Sequence, residues 1–77
     1  MNLLIDIGNS RVKWLLHDHV ENNFCLSGVM HRDKSDFHAL FCEHWGHFDC
    51  PDRVVVSNVS GPNIADNLDT WIEKEWH

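Results

Sequence analysis

A chain of 77 residues with six Lys plus Arg against twelve Asp plus Glu has a formal net charge of -6, the wrong sign for a surface that attracts nucleic-acid phosphates or anionic lipid. Its 43% hydrophobic content, with four Trp and four Phe, excludes a disordered tail, and its length allows one small domain, which buries only about 60% of the surface exposed by the unfolded chain. The N-terminus has no basic region and Asp6 interrupts its apolar run, which excludes a signal peptide, and no apolar run is long enough to span a bilayer.

Leu3-Leu4-Ile5-Asp6-Ile7 is an almost continuous apolar run closed by Gly8-Asn9-Ser10, the pattern of a strand covered on both faces and then turning. In Arg11 to Leu16 the residues Val12, Trp14 and Leu16 share one face, as period-two alternation requires. The two runs make a β-hairpin. The segment from His17 to Asn23 is polar and turn-like, and Phe24 to Met30 supplies a third strand. From Ser35 onward the period changes: Phe37, Leu40, Phe41, His44, Trp45 and Phe48 form one stripe of an amphipathic helix, with Ser35 as its N-cap and Gly46 as its C-terminal stop. Arg53 to Val59 is a β-branched strand expected to be buried on both sides. Ser60-Gly61-Pro62-Asn63 breaks it, and Ile64, Leu68, Trp71, Ile72 and Trp76 recur at helical spacing to the end. The order β-β-β-α-β-α predicts an α/β fold in which a helical crossover sets the fourth strand parallel to the first. Two helices are too few to cover both sheet faces, so the chain reads as the first portion of a larger domain.

The segment Asp6-Ile7-Gly8-Asn9-Ser10-Arg11-Val12-Lys13 concentrates the chemistry. A carboxylate at the end of a buried strand needs a partner, and a hydrated divalent metal bridging nucleotide phosphates is one. Gly8 lets the backbone approach a phosphate closely. Asn9 and Ser10 offer turn amides and short polar side chains, and Lys13 reaches back as a point charge. By turn chemistry alone, a plain hairpin explains the same residues equally well.

Asp-x-Gly-Asn-Ser within the first ten residues, followed by Lys13 and Trp14, resembles the first phosphate motif of type III pantothenate kinases, and Val54-Val55-Val56-Ser57-Asn58-Val59 resembles a strand in the same half of that family's fold. The resemblance implies a ribonuclease H-like mixed sheet, the first part of an actin/Hsp70-type ATPase domain, with residues 1–77 an incomplete N-terminal nucleotide-phosphate-binding domain and the second domain absent. It implies ATP with Mg2+ held by Asp6 to Lys13, Asp6 being the metal contact, and a monovalent cation (K+ or NH4+) whose site lies outside this chain. The implied reaction moves the ATP γ-phosphate to pantothenate, the first step of coenzyme A synthesis, in a homodimer. The later Asp-x-Gly-x-Arg segment that supplies the base is missing, so no residue here is catalytic and the chain alone is expected to be inactive.

Two other readings stand beside this one. Cys42, His44, His47 and Cys50 fall within nine positions, a spacing that suits a structural zinc site in a small interaction or regulatory module. The same fold also serves kinases and ATPases with other substrates. Cys25, Cys42 and Cys50 are an odd set without close pairs, which points to reduced thiols and the cytoplasm.

Overall fold

The structure is a computed structural model and describes residues 1–32, 36–57 and 62–76. Strands β1 (Asn2–Ile7), β2 (Arg11–Asp18) and β3 (Asn23–His31) are followed by helix α1 (Phe37–Trp45), strand β4 (Arg53–Ser57) and helix α2 (Pro62–Glu75). The sheet order is β3-β2-β1-β4. β1 pairs antiparallel with β2 and parallel with β4, so the expected mixed sheet is present.

Alternation sorts the strand residues cleanly. Leu3, Ile5 and Ile7 of β1, Val12, Trp14 and Leu16 of β2 and Met30 of β3 all point to one face and are buried there against Leu40, Phe41 and Trp45 of α1 and Ile64, Leu68 and Trp71 of α2. Both helices therefore lie on the same side. The expectation that β1 and β4 are covered on both faces is corrected: Val55 is 43% exposed, Val29 is 44% exposed, and Leu4 and Asp6 are half-buried on the opposite, open face. The run Leu3-Leu4-Ile5 signalled apolar surface on both faces of β1, but covering the second face takes a layer of its own.

The α1 stripe packs as its spacing requires. Its N-cap is Asp36, whose side chain accepts a hydrogen bond from the Ala39 amide at 3.1 Å, a capping arrangement worth about 1 kcal/mol. Ser35, expected to fill that role, lies outside the described residues, as do residues 58–61, which include the expected end of the fourth strand, and His77. Gly46 closes the helix, its N–H donating to the Cys42 carbonyl at 2.8 Å. No described helix is long and apolar enough to cross a membrane.

The second strand runs two residues further than its apolar pattern indicated, so His17 and Asp18 are strand rather than turn. A bulge between Leu16 and His17 sets His17 opposite Phe24, and their rings stand 5.1 Å apart. The Asp18 carboxylate accepts from the amides of Val20 and Glu21, and the Glu21 bond first, then that of Val20, holds its pKa below the ordinary carboxylate range. Asn22, with φ 56°, completes the turn in the left-handed region that Asn tolerates.

Opposite Trp14 on β3 stands Gly28. A methyl group there would meet the Trp14 indole at 2.6 to 2.8 Å, and that indole donates to His44 Nδ1 at 3.2 Å. Gly28→Ala is therefore expected to displace Trp14 and lower stability by about 1–3 kcal/mol. A urea midpoint equal to the wild type would show that the indole has room to move.

The start of β1 is tied to the start of β4. The Met1 ammonium donates to Asp52 at 2.6 Å, and the Asp52 amide donates to the Met1 carbonyl at 2.7 Å. That side-chain hydrogen bond, then the ammonium charge, holds the Asp52 carboxyl below its ordinary range. A carboxylate depressed by folding stabilises the fold above its unfolded pKa and loses that contribution as pH falls through the folded value. N-terminal acetylation removes the ammonium and is expected to raise the Asp52 titration midpoint, followed by carboxyl NMR. An unchanged midpoint would mean that the pair does not form in solution.

Candidate phosphate-binding hairpin

The β1–β2 turn is Gly8-Asn9-Ser10, flanked by Ile7 and Val12, both buried and paired across the hairpin. These two apolar anchors hold the turn's base rigidly to the core. The Gly8 amide donates to the Arg11 carbonyl at 2.9 Å, and a Cβ at Gly8 would stand 3.3 Å from that same carbonyl oxygen, tighter than ordinary contact. Asn9, Ser10 and Arg11 are exposed.

Asp6 lies opposite Lys13 on β2 and beside Ser57 on β4. Side-chain alternation sends all three to the open face, together with Leu4, Leu15 and Val55, around a concavity of about 560 Å³. Asp6 and Ser57 also sit at the carboxyl ends of the two parallel strands, the edge of an open α/β sheet where ligands bind. The Asp6 carboxylate makes no hydrogen bond or ion pair with any described residue. Of the eight positions expected in the segment, Ile7 and Val12 turn into the core, while Asp6 and Lys13 meet on the open face beside the turn.

Arg32 is the residue that sequence reasoning missed. Immediately after β3, its guanidinium donates to the Gly8 carbonyl at 2.6 Å, and its own amide donates to the Ser10 carbonyl at 2.9 Å. The turn is thereby braced from a strand far along the chain. The signal was topological: with β3 paired to β2 so that Arg11 faces His31, the next residue must pass the hairpin tip. Arg32→Ala is expected to cost about 1.5 kcal/mol, the low end of the range for a charged donor because the site is partly exposed, and to accelerate hydrogen exchange at the Gly8 amide. Unchanged exchange would remove Arg32 from the site.

The alternative zinc set is taken apart by the fold. His44 Nδ1 accepts from Trp14, His47 packs edge-on against Phe48 with ring centroids 4.7 Å apart, and the Cys50 thiol donates to the carbonyls of Pro51 and Trp76. Cys42 instead receives the Trp71 indole N–H at 3.2 Å. Spacing along the chain placed the four close in sequence, but only Cys42 and His44 lie on α1, two positions apart and so on different faces, while His47 and Cys50 lie beyond its end. All three cysteines are free.

A mixed four-stranded sheet led by a β-hairpin, with two helices on one face, is the α/β arrangement of the first part of an actin/Hsp70-type ATPase domain. The profile of the type III pantothenate kinase family matches residues 2–77. Over 76 residues the chain is 38% identical to the type III pantothenate kinase of Nitrosococcus oceani, covering 99% of this chain and 28% of that protein. A type III pantothenate kinase of Burkholderia mallei is likewise 38% identical over 76 residues, with 99% of this chain and 27% of that protein covered, and one of Burkholderia thailandensis is 36% identical over 74 residues. The chain belongs to the type III pantothenate kinase family, and it spans little more than a quarter of the length of the curated relatives it matches.

Proposed function

We propose that this chain is the nucleotide-phosphate-binding part of an ATP-dependent pantothenate kinase, and that Asp6, Gly8, Asn9, Ser10 and Lys13 hold the phosphates of ATP. The observation that carries this reading is the convergence of Asp6, Lys13 and Ser57 at the carboxyl ends of β1 and β4, beside a glycine turn braced by Arg32. Lys13 supplies positive charge to the phosphate oxygens, Ser10 supplies a hydroxyl donor, and Gly8 keeps the approach free of side chain, while the Ser57 hydroxyl donates to the Ile5 carbonyl at 3.4 Å and ties β4 to β1 beside the site.

The residues present suit a magnesium ion. Asp6 offers a half-buried carboxylate with no competing partner among the described residues, and Mg2+ takes one or two carboxylates together with waters and substrate phosphates. When bound, Mg2+ neutralises charge on the phosphates during transfer. In the whole kinase the γ-phosphate passes to the pantothenate hydroxyl, and positioning with charge neutralisation supplies most of the catalysis. The base, the acceptor site, the K+ or NH4+ ion and the dimer contact follow from the family resemblance and are assigned to no residue here. A cytoplasmic location suits the three free thiols.

The test is a titration of the isotopically labelled chain with MgATP, followed by amide chemical shifts. Binding with a Kd of about 1 mM is expected, with shifts concentrated at residues 6–13, Arg32 and Ser57. Shifts confined to the helical side of the sheet, or none at all at about 10 mM nucleotide, would overturn the assignment.

A further inference from the structure

On the helical side of the sheet, away from Asp6 and Lys13, the described residues bring three metal-ligand side chains of different types together: His38 and Cys42 of α1 and Glu75 of α2, with one ligand atom from each within 4.8 Å of the other two. His38 and Cys42 stand four residues apart on a helix, so they share a face one turn apart. Glu75 arrives from the last turn of α2, through the packing of Trp71 against Phe41 and Trp45.

The spacing matches a particular ion. The Cys42 sulfur and His38 Nε2 are 3.6 Å apart. Zinc binds imidazole nitrogen at about 2.0–2.1 Å and thiolate sulfur at about 2.3 Å, and a tetrahedral angle between two such bonds sets the ligand atoms about 3.6 Å apart. The sulfur is also aimed: the Trp71 indole N–H donates to it at 3.2 Å from the neighbouring helix, the kind of outer hydrogen bond that orients a metal ligand. Thiolate, imidazole and carboxylate together favour a borderline-soft transition ion over Mg2+ or Ca2+.

We propose that His38 Nε2, the Cys42 sulfur and a Glu75 carboxylate oxygen form a zinc site that clamps the end of α2 onto α1, with a water as the fourth ligand. Binding releases the thiol proton to solvent and leaves the thiolate on the metal, so affinity rises with pH. Because α1 and α2 supply half of a small core, joining them raises the stability of the fold.

The experiment uses the metal-stripped chain titrated with Co2+ and then with Zn2+. One equivalent of Co2+ is expected to give a thiolate-to-cobalt charge-transfer band that one equivalent of Zn2+ removes, and Zn2+ is expected to raise the melting temperature. Cys42→Ser should abolish the band, while His38→Ala and Glu75→Gln should each weaken Zn2+ binding by at least about tenfold. His38 and Glu75 are exposed, so their variants leave the core intact and keep the test decisive even if the Cys42 variant folds poorly. Cys25→Ser and Cys50→Ser should retain the band. Absence of a stoichiometric band, retention of it in Cys42→Ser, its loss in Cys50→Ser, or wild-type affinity in both His38→Ala and Glu75→Gln would each overturn the site.

Discussion

Trp45→Ala is expected to remove most of the protein's stability and leave it marginally folded at room temperature. Trp45 is 0% exposed and stands at the centre of the aromatic core. It stacks on Phe41 at 5.1 Å and 11°, meets Trp71 edge-on at 5.7 Å and Trp14 edge-on at 6.3 Å, and touches Trp76 at 6.3 Å. Truncating a buried Trp to Ala costs about 3–5 kcal/mol. Whole domains have about 5–15 kcal/mol to lose, and one this small lies at the low end. The indole N–H of Trp45 is buried without a hydrogen-bond partner among the described residues, a defect that costs about 1–3 kcal/mol. Trp45→Phe removes that donor along with some contact area, so it is expected to be far milder than Ala, within about 1.5 kcal/mol of the wild type. Urea unfolding followed by circular dichroism separates the two variants. An alanine variant within about 1 kcal/mol of the wild type would mean that α1 is not seated through Trp45.

Asp6→Asn is expected to abolish the Mg2+ dependence of ATP binding and to weaken MgATP binding by about tenfold, because the amide keeps the shape of the carboxylate but has no charge for the hydrated ion. Stability should change by no more than about 0.5 kcal/mol, since the Asp6 carboxylate has no hydrogen bond or ion pair among the described residues to lose. Lys13→Met is its counterpart across the hairpin. Losing a point charge should weaken ATP binding with and without Mg2+ alike. Calorimetric titrations of both variants, each with and without the metal, give four affinities. Mg2+ dependence persisting in Asp6→Asn would remove Asp6 as the metal contact, and unaltered affinity in Lys13→Met would reduce the segment to an ordinary turn.

The two positions also show how differently parts of the molecule were legible. Trp45 was readable because a helix repeats every 3.6 residues: the stripe from Phe37 to Phe48 names the buried face before any neighbour is known. The hairpin was readable because turn chemistry and strand alternation act within a few residues, and the family motif at Asp6 to Lys13 occupies that same stretch. Ser57 and Arg32 were not readable as hairpin neighbours. Each reaches the site through pairing between strands distant in sequence, β4 on β1 and β3 on β2, and pairing partners leave no periodic mark on either strand.

The cysteine and histidine residues show the limit most sharply. Cys42, His44, His47 and Cys50 are close along the chain yet take separate partners, whereas Glu75 is remote and arrives beside His38 and Cys42. By itself the sequence determined the local elements, their order, the aromatic face of each helix and the chemical character of the Asp6 to Lys13 turn, because short-range backbone and side-chain preferences decide all of these. Only the tertiary structure decided that both helices share one face, that the other face stays open around Asp6 and Lys13, that Arg32 braces the turn and that Cys42 meets His38 and Glu75. Those outcomes depend on which surfaces bury one another, a property of the assembled layers rather than of any single segment.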